Sequence, residues 1–206
     1  MLLILPHFKI KPIKNAQIIL TLFVFLCNKK NYYNIMKRIF LIGYMGSGKT
    51  SMGVKLAEIL GFQFVDMDHH IEEKYLKSVS QIFAELGQDE FREIERKCLH
   101  EVAEFEDSVI ATGGGAPCFF DNMEYMNQHG LTIYIQLSVE QLAIRLETSR
   151  AGKRPLLANR KGEDLRKFIE DGLTLREKFY SQAMYSVSGT DEEMLQKITE
   201  VARKHF

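Results

Sequence analysis

The sequence predicts an α/β fold, a parallel sheet covered by helices on both faces, and three observations carry that prediction. From Lys37 onward, short β-type runs alternate with longer stretches of helical period. The first run, Arg38-Ile39-Phe40-Leu41-Ile42, is almost unbroken in apolar character, as a strand buried on both faces must be. Directly behind it a glycine-rich turn opens a helix, the strand–turn–helix order from which such sheets are built.

The first strand ends at Gly43, and its helix runs from about Gly48 to Leu60, where Gly61 supplies the C-terminal cap. A second strand is expected over Phe62 to Val65, a third over Ser108 to Ala111, a fourth over Leu131 to Leu137, and a weaker fifth over Met184 to Val187. Between the second and third, Glu90 to Phe105 sets Phe91, Ile94, Cys98, Val102 and Phe105 at helical spacing, which turns those five to the core and Arg92, Glu95 and Arg96 to a different face. Ser149 to Gly162 breaks the rhythm. Its Arg150, Lys153, Arg154, Arg160 and Lys161 stand among Gly and Pro, and the stretch reads as a mobile basic lid over a site or as a solvated surface loop.

With 46% hydrophobic and 26% charged residues in a chain of 206, one globular domain is expected, over residues 36–206. The balance of 27 basic and 27 acidic residues hides an asymmetry, because residues 1–35 hold five lysines (Lys9, Lys11, Lys14, Lys29, Lys30) and no acid. Removing those five leaves 22 basic against 27 acidic groups, a net charge of −5. A mildly acidic body argues against a nucleic-acid partner, whose phosphates call for an extended basic surface. Cys27, Cys98 and Cys118 form neither a CxxC pair nor a metal-ligand spacing, and an odd number fits a reducing compartment better than a disulfide framework. The apolar run Ile18 to Cys27 is ten residues long, too short to span a bilayer as a helix. Asn28-Lys29-Lys30-Asn31-Tyr32-Tyr33 follows it where signal cleavage needs small residues. We therefore expect a cytoplasmic protein without a membrane partner, started functionally at Met36, with residues 1–35 disordered or an artefact of start-site choice.

The chemistry concentrates at strand ends. Gly43-Tyr44-Met45-Gly46-Ser47-Gly48-Lys49-Thr50 matches the phosphate-binding pattern GxxxxGK followed by Ser or Thr, between a buried strand and a helix. Its glycines let backbone N–H groups curl towards phosphate oxygens, and the helix N-terminus adds positive potential. Lys49 supplies a cation to the β- and γ-phosphates of ATP, and the Thr50 hydroxyl is expected to ligate Mg²⁺. The second strand delivers Asp66-Met67-Asp68, two carboxylates that can divide labour: Asp66 towards the metal's water shell, Asp68 towards the hydroxyl to be phosphorylated. Asp68 reads alternatively as an ordinary helix N-cap, and His69 and His70 as solvent-facing residues that are not ligands. The third strand ends in Thr112-Gly113-Gly114-Gly115, where bare peptide permits a tight bend against a substrate, although three glycines alone are also only a turn. Arg92, braced by Glu95 one turn on, offers a planar fork for a carboxylate, and Arg176 a second. Either arginine taken singly is equally a solvated surface residue.

In sequence order these pieces resemble the shikimate kinase family: GxxGxGK with its hydroxyl residues Thr50 and Ser51, then DxD, FRxxE (Phe91-Arg92-Glu93-Ile94-Glu95), TGGG, RPLL (Arg154-Pro155-Leu156-Leu157), and Arg176 shortly before Tyr180. The resemblance covers Arg38 to the C-terminus and implies transfer of the ATP γ-phosphoryl group to the 3-hydroxyl of shikimate. It implies a five-stranded parallel sheet of order 2-3-1-4-5, Asp68 on the ring hydroxyls, Arg92, Arg176 and the Gly113 to Gly115 backbone at the carboxylate, and Arg154 brought down by the lid. Gly46, Ser47, Gly48, Lys49, Thr50, Ser51 and Arg154 would hold ATP with Mg²⁺ in a monomer. Thr50-Ser51 stands where many members have Ser-Thr, Glu177-Lys178-Phe179 replaces a commoner x-Pro-Leu, and Ser188-Gly189-Thr190-Asp191 lacks the arginine often found near adenine. A gluconate or nucleoside monophosphate kinase would share the loop and lid but not the DxD, FRxxE and TGGG set. The chain has no N-K-x-D guanine-reading sequence, and a non-catalytic nucleotide-binding module would have little reason to keep Lys49, Asp68 and the arginines.

Overall fold

A computed structural model describes residues 37–148 and 160–206. The predicted segment 1–35, Met36, Cys27, Arg150, Lys153 and Arg154 lie outside the described residues, as does most of the predicted lid. In chain order the elements are β1 (Arg38–Ile42), α1 (Lys49–Leu60), β2 (Gln63–Asp66), α2 (Met67–Tyr75), α3 (Val79–Val102), β3 (Ser108–Ala111), a 3-10 turn (Ala116–Cys118), α4 (Asn122–His129), β4 (Leu131–Ile135), α5 (Val139–Thr148), α6 (Gly162–Tyr180), β5 (Tyr185–Val187) and α7 (Asp191–His205). The strands form one sheet of order β2-β3-β1-β4-β5 with every pair parallel, the order the resemblance implies.

Every residue of the three central strands is buried, whereas Gln63, Tyr185 and Ser186 on the edge strands β2 and β5 are exposed. That contrast is why the central strands read as continuous apolar runs and the fifth as a weak one. Arg38 is the exception inside β1: it is fully buried, and its guanidinium donates to the carbonyls of Phe105 (3.0 Å) and His129 (3.3 Å). A buried charge persists only when its donors are matched in this way.

Two hydrophobic clusters follow. The larger wraps the sheet, and a smaller one of Ile71, Ile82, Phe91, Ile94 and Cys98 clamps α2 against α3. Helix α3 starts at Ser78 with a capping box to Gln81 and bends at Gly87, whose φ of 80° breaks the helical run. Four of the five predicted core residues on α3 are buried, while Phe105 lies past its end and is half-buried. Glu95 departs from the expected polar face, since it is only 1% exposed and points inward to the site.

Two further expectations are corrected. The cap of α2 is Asp66, not Asp68, because β2 runs into α2 without a loop and the last strand residue takes the cap position. Asp66 Oδ1 accepts from the backbone N–H groups of Asp68 (3.1 Å) and His69 (3.4 Å). His69 is exposed beside Glu73, but His70 is not solvent-facing: it turns towards α3, 3.5 Å from Glu101 and edge-on to the Phe105 ring. Among the described residues no helix is long and apolar enough to cross a membrane, and Cys98 and Cys118 are free thiols.

Candidate active site

The turn between β1 and α1 is shaped by glycines with positive φ, 82° at Gly46 and 97° at Gly48, a region that side chains rarely adopt. Lys49, the first residue of α1, folds back so that its Nζ donates to the carbonyls of Gly43 (2.8 Å) and Tyr44 (3.0 Å). A cavity of about 520 Å³ opens above this turn, lined from the loop by Gly46, Gly48, Lys49, Thr50 and Ser51. From other strand ends it takes Asp66, Asp68 and Gly114. Ser47 is buried beneath, and its Oγ meets no hydrogen-bond partner among the described residues.

Asp66 ties two functions together. While its Oδ1 caps α2, its Oδ2 accepts from Thr50 Oγ1 at 2.7 Å. Hydroxyl and carboxylate oxygens thus stand side by side at the mouth of the loop, a donor set suited to a hard divalent cation. Asp68, one residue into α2, has its carboxyl pushed above the ordinary carboxylate range, first by burial and then by the charge of Asp66, against the opposing pull of Lys49.

Opposite the loop, the three successive glycines after β3 form a wall, and each lies against a different predicted residue. A Cβ on Gly113 would stand 2.6 Å from Glu95 Oε1 and 3.1 Å from Asp68 Oδ1. On Gly114 it would meet the Met45 backbone N (3.4 Å) and Arg176 Nη1 (3.6 Å), and on Gly115 both terminal nitrogens of Arg92 at 2.8 Å. Asp68, Arg92 and Arg176 therefore surround one tripeptide, whose ends lie at most about 7 Å apart. None of these glycines has positive φ, so the run is needed for space and not for a special bend.

Arg92 and Glu95 form a buried pair, Nη1 to Oε2 at 2.6 Å, with side chains 13% and 2% exposed. Burial raises the Glu95 carboxyl and Arg92 draws it back. The Arg92 guanidinium carbon sits 4.1 Å from the Phe119 ring centroid, and its buried Nε has no acceptor among the described residues. A fixed, partly unsatisfied fork of this kind is built to receive an anion. Arg176, on α6, lies 5.0 Å from the Tyr44 ring centroid and 3.5 Å from the Gly114 carbonyl, which also accepts from Tyr180 Oη at 2.5 Å. Tyr134, buried on β4, donates to Glu177 at 3.0 Å, so the helix carrying Arg176 is bonded to the sheet on one side and to the glycine wall on the other.

The family model for shikimate kinase matches residues 45–205. A shikimate kinase of Parabacteroides distasonis is 58% identical over 160 residues, covering 78% of this chain and 91% of its own. The chain belongs to the shikimate kinase family. The crystal structure of shikimate kinase from Bacteroides thetaiotaomicron superposes with a TM-score of 0.78 at 43% identity, over 82% of this chain and 99% of that one. Shikimate kinase from Acinetobacter baumannii in complex with shikimate gives 0.74 at 33% identity, over 85% and 97%.

Within this shikimate kinase site one lining residue had no sequence signal. Arg145 on α5 donates to the Ser47 carbonyl (3.2 Å) and pairs with Asp191 Oδ1 (2.6 Å), beside the phosphate loop. Nothing in the spacing of α5 separates it from an ordinary surface arginine. It brings a guanidinium close to the segment Ser188 to Asp191, the stretch that lacks one.

Gly115→Ala tests the wall. The new Cβ displaces the end of the Arg92 side chain and leaves backbone in place, so folding should survive. The KM for the acceptor should rise by about ten- to a hundredfold, the worth of one hydrogen bond to a charged group, with a smaller change in the KM for ATP. Steady-state kinetics with each substrate varied in turn reads both.

Proposed function

We propose that the chain transfers the γ-phosphoryl group of ATP to the 3-hydroxyl of shikimate, giving shikimate 3-phosphate and ADP on the route to chorismate and the aromatic amino acids. The observation that carries this reading is the glycine wall, where groups suited to an anionic polyol meet the phosphate loop. A small ring acid needs cations at one end and a carboxylate near its hydroxyls at the other. Arg92 and Arg176, with the backbone of Gly113 to Gly115, supply the first. Glu95 engages Nη1 of Arg92 and leaves the rest of the fork for the acceptor carboxylate.

Asp68 supplies the second. It orients the acceptor hydroxyl in line with the γ-phosphate and takes its proton late, since a loose phosphoryl-transfer transition state needs alignment more than a strong base. Lys49, with the backbone of Gly46, Ser47 and Gly48, clamps the phosphates, and Ser51 adds a hydroxyl at the start of α1. Thr50 directly, and Asp66 through water, would hold Mg²⁺, which supplies charge neutralisation at the phosphates when bound. Arg154, from the segment about 149–162, is assigned to the phosphates on the family pattern, and lid closure would exclude water from the transfer. The reading includes a cytoplasmic, monomeric enzyme formed by residues 36–206.

A coupled ADP-release assay with Mg²⁺ across shikimate, quinate, gluconate and nucleoside monophosphates tests it. Shikimate should lead in kcat/KM by at least about 10²-fold over gluconate and the nucleotides, the discrimination expected of a site built to hydrogen-bond its substrate. A comparable rate with gluconate or a nucleoside monophosphate overturns the assignment.

A further inference from the structure

Where α2 packs on α3, three donors converge that the transfer reaction does not use. His70 projects from α2, and Cys98 and Glu101, one helical turn apart, from α3. Their ligand atoms all lie within 4.8 Å of one another. We propose that His70, Cys98 and Glu101 form a binding site for a thiophilic divalent transition metal of the zinc class.

Imidazole, thiolate and carboxylate are the ligand types that zinc takes from proteins, and three protein ligands plus water complete a tetrahedron. With metal–ligand distances of about 2.0–2.3 Å, the donors need to close in by roughly 1 Å. The surroundings suit the purpose. Lys74 Nζ holds one oxygen of Glu101, and the other faces His70 Nε2 at 3.5 Å, so the carboxylate is already oriented by an outer partner. Cys98 is fully buried against Ile71, Phe91 and Ile94, which gives the site a dry side, while His70, with its side chain 24% exposed, leaves a route from solvent. Burial and the Glu101 charge push the Cys98 thiol up, which favours its proton. Binding would form the sulfur–metal bond and release that proton to solvent. The site would pin α2 to α3 two residues after Asp68 and one turn after Glu95.

The test is a titration of the full, reduced chain with Co²⁺. One equivalent should produce thiolate-to-cobalt charge-transfer absorption in the near ultraviolet, and Zn²⁺ should remove it. Cys98→Ser should abolish the band, Cys118→Ser should keep it, and His70→Gln should weaken binding by at least about tenfold, no less than loss of an outer partner does. If the buried Cys98→Ser variant fails to fold, the His70→Gln variant, at a partly exposed position, decides. No band in the unaltered chain, loss of the band in Cys118→Ser, or undiminished affinity in His70→Gln overturns the proposal. The readout uses no turnover, so its failure leaves the phosphotransfer reading standing.

Discussion

Lys49→Ala is expected to lower turnover by about 10²-fold or more, because it deletes a fixed cation that acts where negative charge shifts during transfer. The ammonium is already folded over the loop by the Gly43 and Tyr44 carbonyls, so it is in place before the nucleotide arrives. A group arranged in advance needs no reorganisation at the moment of reaction, and its loss should therefore fall mainly on kcat. The check is kcat at saturating ATP and shikimate, with circular dichroism to show that the fold persists. Near-normal turnover refutes the role.

Asp68→Asn should remove activity by about 10²- to 10⁴-fold, the range for a positioned acid–base group, yet make the protein more stable at neutral pH. The folded-state pKa of Asp68 is raised, chiefly by burial and by Asp66. The folded protein therefore favours the protonated form, and the advantage this gives, full below the ordinary carboxylate pKa, is lost as pH rises through the raised value. At neutral pH the charge, crowded by Asp66 and partly desolvated on the pocket wall, carries a modest cost that asparagine lacks. The thermal midpoint of the variant should exceed that of the parent at pH 7, and the difference should vanish in acid. The same shift places the acid limb of the parent's kcat/KM profile above the usual aspartate range. An unchanged midpoint at pH 7 contradicts the electrostatic account, and unchanged turnover contradicts the catalytic one.

Much of this arrangement was legible from the residues. The buried strands announced themselves as apolar runs, and the loop, the DxD, the arginines and the glycines could be placed at strand ends because parallel sheets gather ligands there. What stayed hidden depended on contacts distant in sequence. That Asp66 both caps α2 and accepts from Thr50 follows from β2 entering α2 without a loop, which residue types do not reveal. Glu95 looked polar by spacing and is buried because the glycine wall after β3 lies against it, with Gly113 next to its Oε1. His70 looked exposed and is turned inward by Glu101 and Phe105, residues some thirty positions away. Arg145 needed the crossing of α5 over the loop, and a period of 3.6 carries no such information.

The tripeptide Gly113-Gly114-Gly115 also limits how this catalyst could diversify. A pocket boundary with no side chains offers nothing to trim, a Cβ at Gly113 or Gly115 strikes Glu95 or Arg92, and one at Gly114 already touches the phosphate loop. A lineage drifting towards a new acceptor would have to begin with Asp68, Arg92 or Arg176, leaving the glycines as the last positions to change.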